Sequence, residues 1–218
     1  MTDMGNAGVF ITFEGIDGAG KSTHMEVLAD HLRRGGRTVT VTREPGGTQL
    51  AEKVRSLVLN EPMDVLTEAL LVFAARRDHL GQVLEPALQR GEVVLCDRFT
   101  DSSYAYQGAG LGLDQGVLET LERWTQTVAG PSGSSLRQPD LTLWFDLPIE
   151  DAAARLAQAR APDKFEAKGP AFYSRVAHGY ALRARDFPER ICRVRADREK
   201  ALVWLDIEQA VRARGWFP

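Results

Sequence analysis

The residues best placed to do chemistry lie near the start of the chain. Gly15-Ile16-Asp17-Gly18-Ala19-Gly20-Lys21-Ser22 follows the spacing G-x-x-x-x-G-K-[ST], with Thr23 next. Glycines at this spacing let backbone N–H groups approach phosphate oxygens, and the N-terminus of a following helix adds partial positive charge. Lys21 then reaches the β- and γ-phosphates of a nucleoside triphosphate, and the Ser22 hydroxyl is a ligand for Mg2+. Asp97 follows the apolar run Val93-Val94-Leu95-Cys96 and is the acid expected to hold a water of the metal. Such a loop by itself says only that a nucleoside triphosphate binds. A GTP switch needs a base-reading N-K-x-D, and Asn occurs only at 6 and 60, neither followed by Lys.

These groups need elements to position them. Val9-Phe10-Ile11-Thr12-Phe13 reads as a strand running into the loop, and Met25, Leu28, Ala29 and Leu32 mark one face of a helix from Lys21 to about Arg34, stopped by Gly35-Gly36. Further strands are expected over Thr38–Thr42, Val93–Cys96, Leu141–Phe145 and Ile191–Val194. Helices are expected over Leu50–Leu59, Asp64–Gln89 with a break near Pro86, Leu113–Val128, Glu150–Ala161, Phe172–Phe187 and Glu199–Arg214. Gly130–Gln138, rich in Gly, Ser and Pro, reads as a surface loop. Strands alternating with helices, without hairpin signals, indicate an α/β fold with an open parallel sheet covered on both faces.

A chain of 218 residues suits one domain with a small lid. The net charge of −3, from 27 Lys+Arg against 30 Asp+Glu, argues against a broad nucleic-acid surface. No apolar run approaches a membrane span, and Met1–Asn6 has no basic region ahead of an apolar one, so a cytoplasmic protein is expected. Cys96 and Cys192 read as small strand residues, and the four scattered His give no zinc site. Only five of the basic residues are Lys; the Arg excess suits bidentate grip on phosphate.

Several segments together resemble the bacterial thymidylate kinases, P-loop nucleoside monophosphate kinases. They are Phe13–Thr23, Thr42-Arg43-Glu44-Pro45-Gly46-Gly47-Thr48, Phe73-Ala74-Ala75-Arg76-Arg77, Asp97-Arg98-Phe99 and Pro139–Leu143. The resemblance implies a P-loop NTPase fold with a five-stranded parallel sheet, a helical lid at about 154–168, a homodimer, and transfer from ATP to dTMP with Mg2+. It implies that residues 15–23 hold ATP, that Arg43 and Arg98 hold the dTMP phosphate with Arg43 bridging towards the γ-phosphate, and that the Glu44–Pro45 bond is cis. Phe73 would stack on thymine and Arg77, four residues on, would donate to its O4. Asp17 would accept from the sugar 3′-OH, Ser103 and Gln107 would lie near the base, and Tyr106 near C2′. Gly18 occupies the place of a loop arginine, so the catalytic arginine would come from the lid, as Arg155 or Arg160. An acceptor phosphate is already anionic, so no general base is required. The chain departs from the family pattern in a longer Gly130–Gln138 loop and in Val194-Arg195-Ala196-Asp197, near the adenine. Another P-loop nucleotide or deoxynucleoside kinase, or an ATP-binding regulatory protein, is the alternative.

Overall fold

The computed structural model describes residues 8–130, 133–156 and 164–217. Five strands form one parallel sheet: β1 (Val9–Glu14), β2 (Val39–Arg43), β3 (Val93–Asp97), β6 (Leu141–Asp146) and β7 (Ile191–Arg195), in the order β2-β3-β1-β6-β7. All six residues of β1 are buried, as befits the central strand of a sheet covered on both faces. Its register sets Phe13 opposite Asp97 and Glu14 opposite Trp144, while Arg43 of β2 lies opposite Asp97. The carboxyl ends of neighbouring strands therefore bring Glu14, Arg43 and Asp97 to one edge, where an open α/β sheet has its ligand crevice.

Helices α1 (Lys21–Arg34), α2 (Gln49–Asn60), α3 (Val65–His79), α4 (Glu85–Gln89), α6 (Gln115–Gln126), α7 (Ile149–Leu156), α8 (Pro170–Asp186) and α9 (Lys200–Arg212) surround the sheet, with a short α5 at Thr100–Ser103. Thr48, Asp64 and Asp114 cap α2, α3 and α6 through their side chains. By contrast, α1 has left-handed Gly20 at its N-cap and no side-chain cap, which leaves its first N–H groups for a ligand. No described helix is long and apolar enough to cross a membrane.

The structure corrects two sequence expectations, at Pro86 and at Gly130–Gln138, and adds detail at two further places. The helical path through Pro86 does not break: a wide π turn, Leu80–Leu84, precedes α4, and Pro86 sits in its first turn. A second π turn, Tyr104–Gly110, continues α5 and packs on α8, where Gly179 lies against Ala105. The expected loop at Gly130–Gln138 is partly a hairpin, β4 (Thr127–Gly130) with β5 (Gly133–Leu136). Its pairing is local, and its base is held by Arg137, whose N–H reaches Gln126 O (2.8 Å) and whose guanidinium pairs with Glu85 (2.6 Å). Trp216 and Phe217 are half-buried; Phe217 packs on Trp204 (6.4 Å) and His31 (6.3 Å). Helix α7 is described to Leu156; residues 157–163, about half of the expected lid and including Arg160, lie outside the described residues.

Candidate active site

The phosphate loop leaves β1 at Gly15, whose φ of 130° and position 2.5 Å from Phe145 O (measured from an added Cβ) admit no side chain. Lys21 opens α1, is buried, and donates to the carbonyls of Gly15 and Ile16 (3.1 Å each). Burial, followed by the nearby Arg98, pulls its ammonium below the ordinary lysine range.

Three clefts meet at this loop. The first lies between Arg98 with Asp17 and a wall made by α3 and the turn after α5. Arg98 Nη2 pairs with Asp17 Oδ1 (2.7 Å) and its Nη1 donates to Gly15 O (2.9 Å). Burial opposes the charge on Arg98, but Asp17, Tyr106, Tyr180 and Asp97 outweigh it and raise its pKa further. Arg98 itself has φ 73°, the left-handed region, at a cost of about 1–3 kcal/mol for such strained backbone. Ser103, Tyr106 and Gln107 line the same cleft.

The opposite wall differs from the expected pair Phe73 and Arg77. Neither lines the cleft; Val72 and Arg76, one position earlier on α3, do. Successive helical residues are about 100° apart, so a one-residue change of phase turns a side chain to another face. Arg76 is buried: Nε meets Glu44 Oε2 at 2.7 Å, Nη2 meets Ser103 Oγ at 3.0 Å and Phe99 O at 3.1 Å, and Nη1 meets Gln126 Oε1 at 3.4 Å, which leaves one Nη1 hydrogen for a further acceptor. Phe73 packs behind it, with the Arg76 guanidinium 4.6 Å from its ring centre, in a cluster with Tyr104, Leu118 and Leu121. Arg77 is exposed and donates to the carbonyls of Thr125 (3.3 Å) and Thr127 (3.4 Å). Glu44, next to the cis Glu44–Pro45 bond, is wholly buried. Burial pushes its carboxyl up, yet Arg76 and His79 outweigh this and hold it below the usual carboxylate range.

The second cleft is lined by Ser22, Asp97, Arg43 and Glu52. Arg43 lines this cleft with its guanidinium on Glu52 (Nη2 to Oε2, 2.9 Å). Asp97 Oδ1 is buried, accepts no hydrogen bond, and lies 4.0 Å from Lys21 Nζ. That orphaned acceptor beside a hydroxyl fits a hard, partly hydrated divalent cation bound largely through phosphate oxygens. Among the described residues no cluster of three or more His, Cys, Asp or Glu could hold a metal unaided.

The third cleft is lined by Gly18, Thr23, His24, Arg155, Arg198 and Lys200 among others. Arg155 Nη1 donates to Gly18 O and Nη2 to Ala196 O, each at 3.2 Å.

Sequence reasoning missed Arg55, Glu14 and Glu44. Arg55 lines the first cleft and donates to Pro45 O (3.0 Å); burial, then Arg43 and Arg98, lower its pKa. Glu14 is wholly buried, and burial together with Asp101 raises its carboxyl to about 7.

With this geometry in hand, comparison with known proteins is direct. The thymidylate kinase family model matches residues 13–207. Thymidylate kinase of Albidiferax ferrireducens is 59% identical over 214 residues, covering 98% of this chain and 100% of that protein. That of Polaromonas sp. is 58% identical over 222 residues, covering 96% and 99%. A crystal structure of thymidylate kinase from Ehrlichia chaffeensis matches with a TM-score of 0.73 at 33% identity, covering 94% of this chain and 99% of that one.

Proposed function

The chain belongs to the thymidylate kinase family and phosphorylates dTMP with ATP; on that premise we propose how its residues divide the work. The observation that carries the assignment is the Arg98–Asp17 pair, which makes the phosphate loop one wall of the first cleft. An acceptor lying in that cleft meets the loop at its phosphate end.

ATP takes the loop and the third cleft. The N–H groups of residues 15–23 and the α1 N-terminus hold its phosphates, and Lys21 leaves the Gly15 and Ile16 carbonyls for the β- and γ-oxygens. Arg43, from the second cleft, faces the γ-phosphate. Arg155, at Gly18 O, is the described candidate for the catalytic arginine; Arg160 lies outside the described residues. Ser22 and Asp97 would hold Mg2+, which when bound offsets charge on the β- and γ-phosphates.

The first cleft takes dTMP. Arg98 and Arg55 grip its phosphate, and Asp17 accepts from the sugar hydroxyl. The Tyr106 ring closes the 2′ side. Arg76, backed by Phe73 and anchored by Glu44, donates to the thymine O4, with Ser103 and Gln107 at the same edge. An acceptor-bearing base edge suits this donor, and the amino group of cytosine does not. ADP release should therefore be fast with dTMP and at least about tenfold slower with dCMP. Chelation of Mg2+ should stop release while dTMP still binds. Equal rates with dCMP would sink the base assignment, and turnover in excess chelator would sink the assignment of Ser22 and Asp97.

Exposed Leu50 and Leu57 on α2, Leu66 and Leu70 on α3, and Trp124 on α6 lie on helices that pack together. We propose that a second copy covers them, giving a homodimer. Trp124→Glu, at a side chain that is 73% exposed, should shift the light-scattering mass to that of one chain. An unchanged mass, whether of one chain or two, in both proteins would remove Trp124 from the interface. The two free thiols suit a reducing cytoplasm.

A further inference from the structure

We propose that Glu14 is a positioning residue for Arg98, acting through one backbone N–H and two hydroxyl groups. This rests on Arg98 being a ligand of the acceptor phosphate.

Among the described residues Arg98 alone, apart from glycines, has a positive φ. Left-handed backbone at a side-chain-bearing residue persists only where its surroundings hold it. Both flanking peptides are tied here. Arg98 N–H donates to Phe13 O (3.0 Å), and Phe99 N–H donates to Glu14 Oε1 (2.8 Å). Glu14 therefore fixes the peptide just after the strained residue, from the end of the neighbouring strand β1.

Its second oxygen governs the side chain. Ser102 Oγ (2.5 Å) and Tyr180 Oη (3.0 Å) both donate to Glu14 Oε2. Each hydroxyl has one hydrogen, so both then present only lone pairs elsewhere. Arg98 Nη1 uses those lone pairs, at 3.2 Å from Ser102 Oγ and 3.1 Å from Tyr180 Oη. In its ionised form the Glu14 carboxylate only accepts, and so orients both hydroxyls towards the guanidinium. An amide in its place would donate to them and turn their hydrogens at Arg98. Glu14 lines none of the three clefts, and among the charges acting on the Lys21 ammonium it comes after Arg98, Asp97 and Asp17.

The test is a comparison of Michaelis constants. Glu14→Gln keeps an acceptor for Phe99 N–H and reverses the hydroxyl orientation. It should raise KM for dTMP by about tenfold or more, as lost supporting hydrogen bonds to a ligand residue do, and leave KM for ATP within about twofold. The Ser102→Ala, Tyr180→Phe double variant leaves β1 and its carboxylate intact and should raise the same constant. It decides the matter if Glu14→Gln fails to fold. Arg98→Lys is the reference. If it leaves KM for dTMP unchanged, the reading of Arg98 itself fails. If Arg98→Lys raises that constant and neither of the other variants does, or if they raise both constants equally, the positioning role is overturned.

Discussion

Replacing Lys21 with alanine is expected to lower kcat by about 10³-fold, because it removes the one side chain of the loop that can follow charge onto the transferring phosphoryl group. Stability should change little. The Lys21 ammonium is buried and desolvated, its pKa is depressed, and its partners without nucleotide are two carbonyls and a carboxylate at 4.0 Å. The loss should appear in kcat under saturating ATP and dTMP, with a thermal midpoint within a few degrees of the parent. A variant that keeps a tenth of the parent turnover would refute the assignment of the loop lysine.

The second large effect separates two adjacent arginines. Arg76→Ala leaves the Glu44 carboxylate buried without its chief partner, and breaking a buried pair in this way costs about 3–5 kcal/mol. It also removes the donor facing the base, so KM for dTMP should rise well beyond that for ATP in whatever protein remains folded. Arg77→Ala takes away only exposed contacts to two carbonyls and should cost within about 0.5 kcal/mol, with both constants unchanged. Urea unfolding and initial rates on the two variants decide it. A silent Arg76→Ala beside a damaging Arg77→Ala would restore the sequence-based pairing of Phe73 with Arg77.

That pairing shows where the sequence is legible and where it is not. The phosphate loop is readable because backbone geometry, and not packing, dictates its glycines and lysine. The five strands are readable because each is a short apolar or β-branched run between turns. Helix α3 is different: apolar side chains lie nearly all around it, since it packs on neighbours at several sides while also facing the cleft. With no polar face to fix its phase, i, i+4 spacing selects Phe73 with Arg77 as readily as Val72 with Arg76. Glu14 and Glu44 were invisible for a related reason. A carboxylate in a sequence reads as exposed, and burial becomes tolerable only through partners distant in the chain, at Phe99, Ser102 and Tyr180 or at Arg76 and His79. The β4–β5 hairpin pairs Thr-Val-Ala-Gly with Gly-Ser-Ser-Leu, and only Thr127 and Val128 are β-forming side chains, too few to announce it.

The π turn at Tyr104–Gly110 gives the number of residues in that stretch a meaning of its own. Leu111 N–H bonds to Tyr106 O, five residues back, so the turn holds one more residue than an α-helical turn would. Tyr106 and Gln107 face the acceptor cleft from inside it, and Gly110 lies where a Cβ would come 2.7 Å from the Phe172 ring. Deleting a single residue would let the segment close into ordinary helix and rotate everything beyond by about 100°. The aromatic wall of the cleft and the seat of α8 would then fall out of phase together. Insertions and deletions are thus barred here even at the half-buried Gly108 and Ala109.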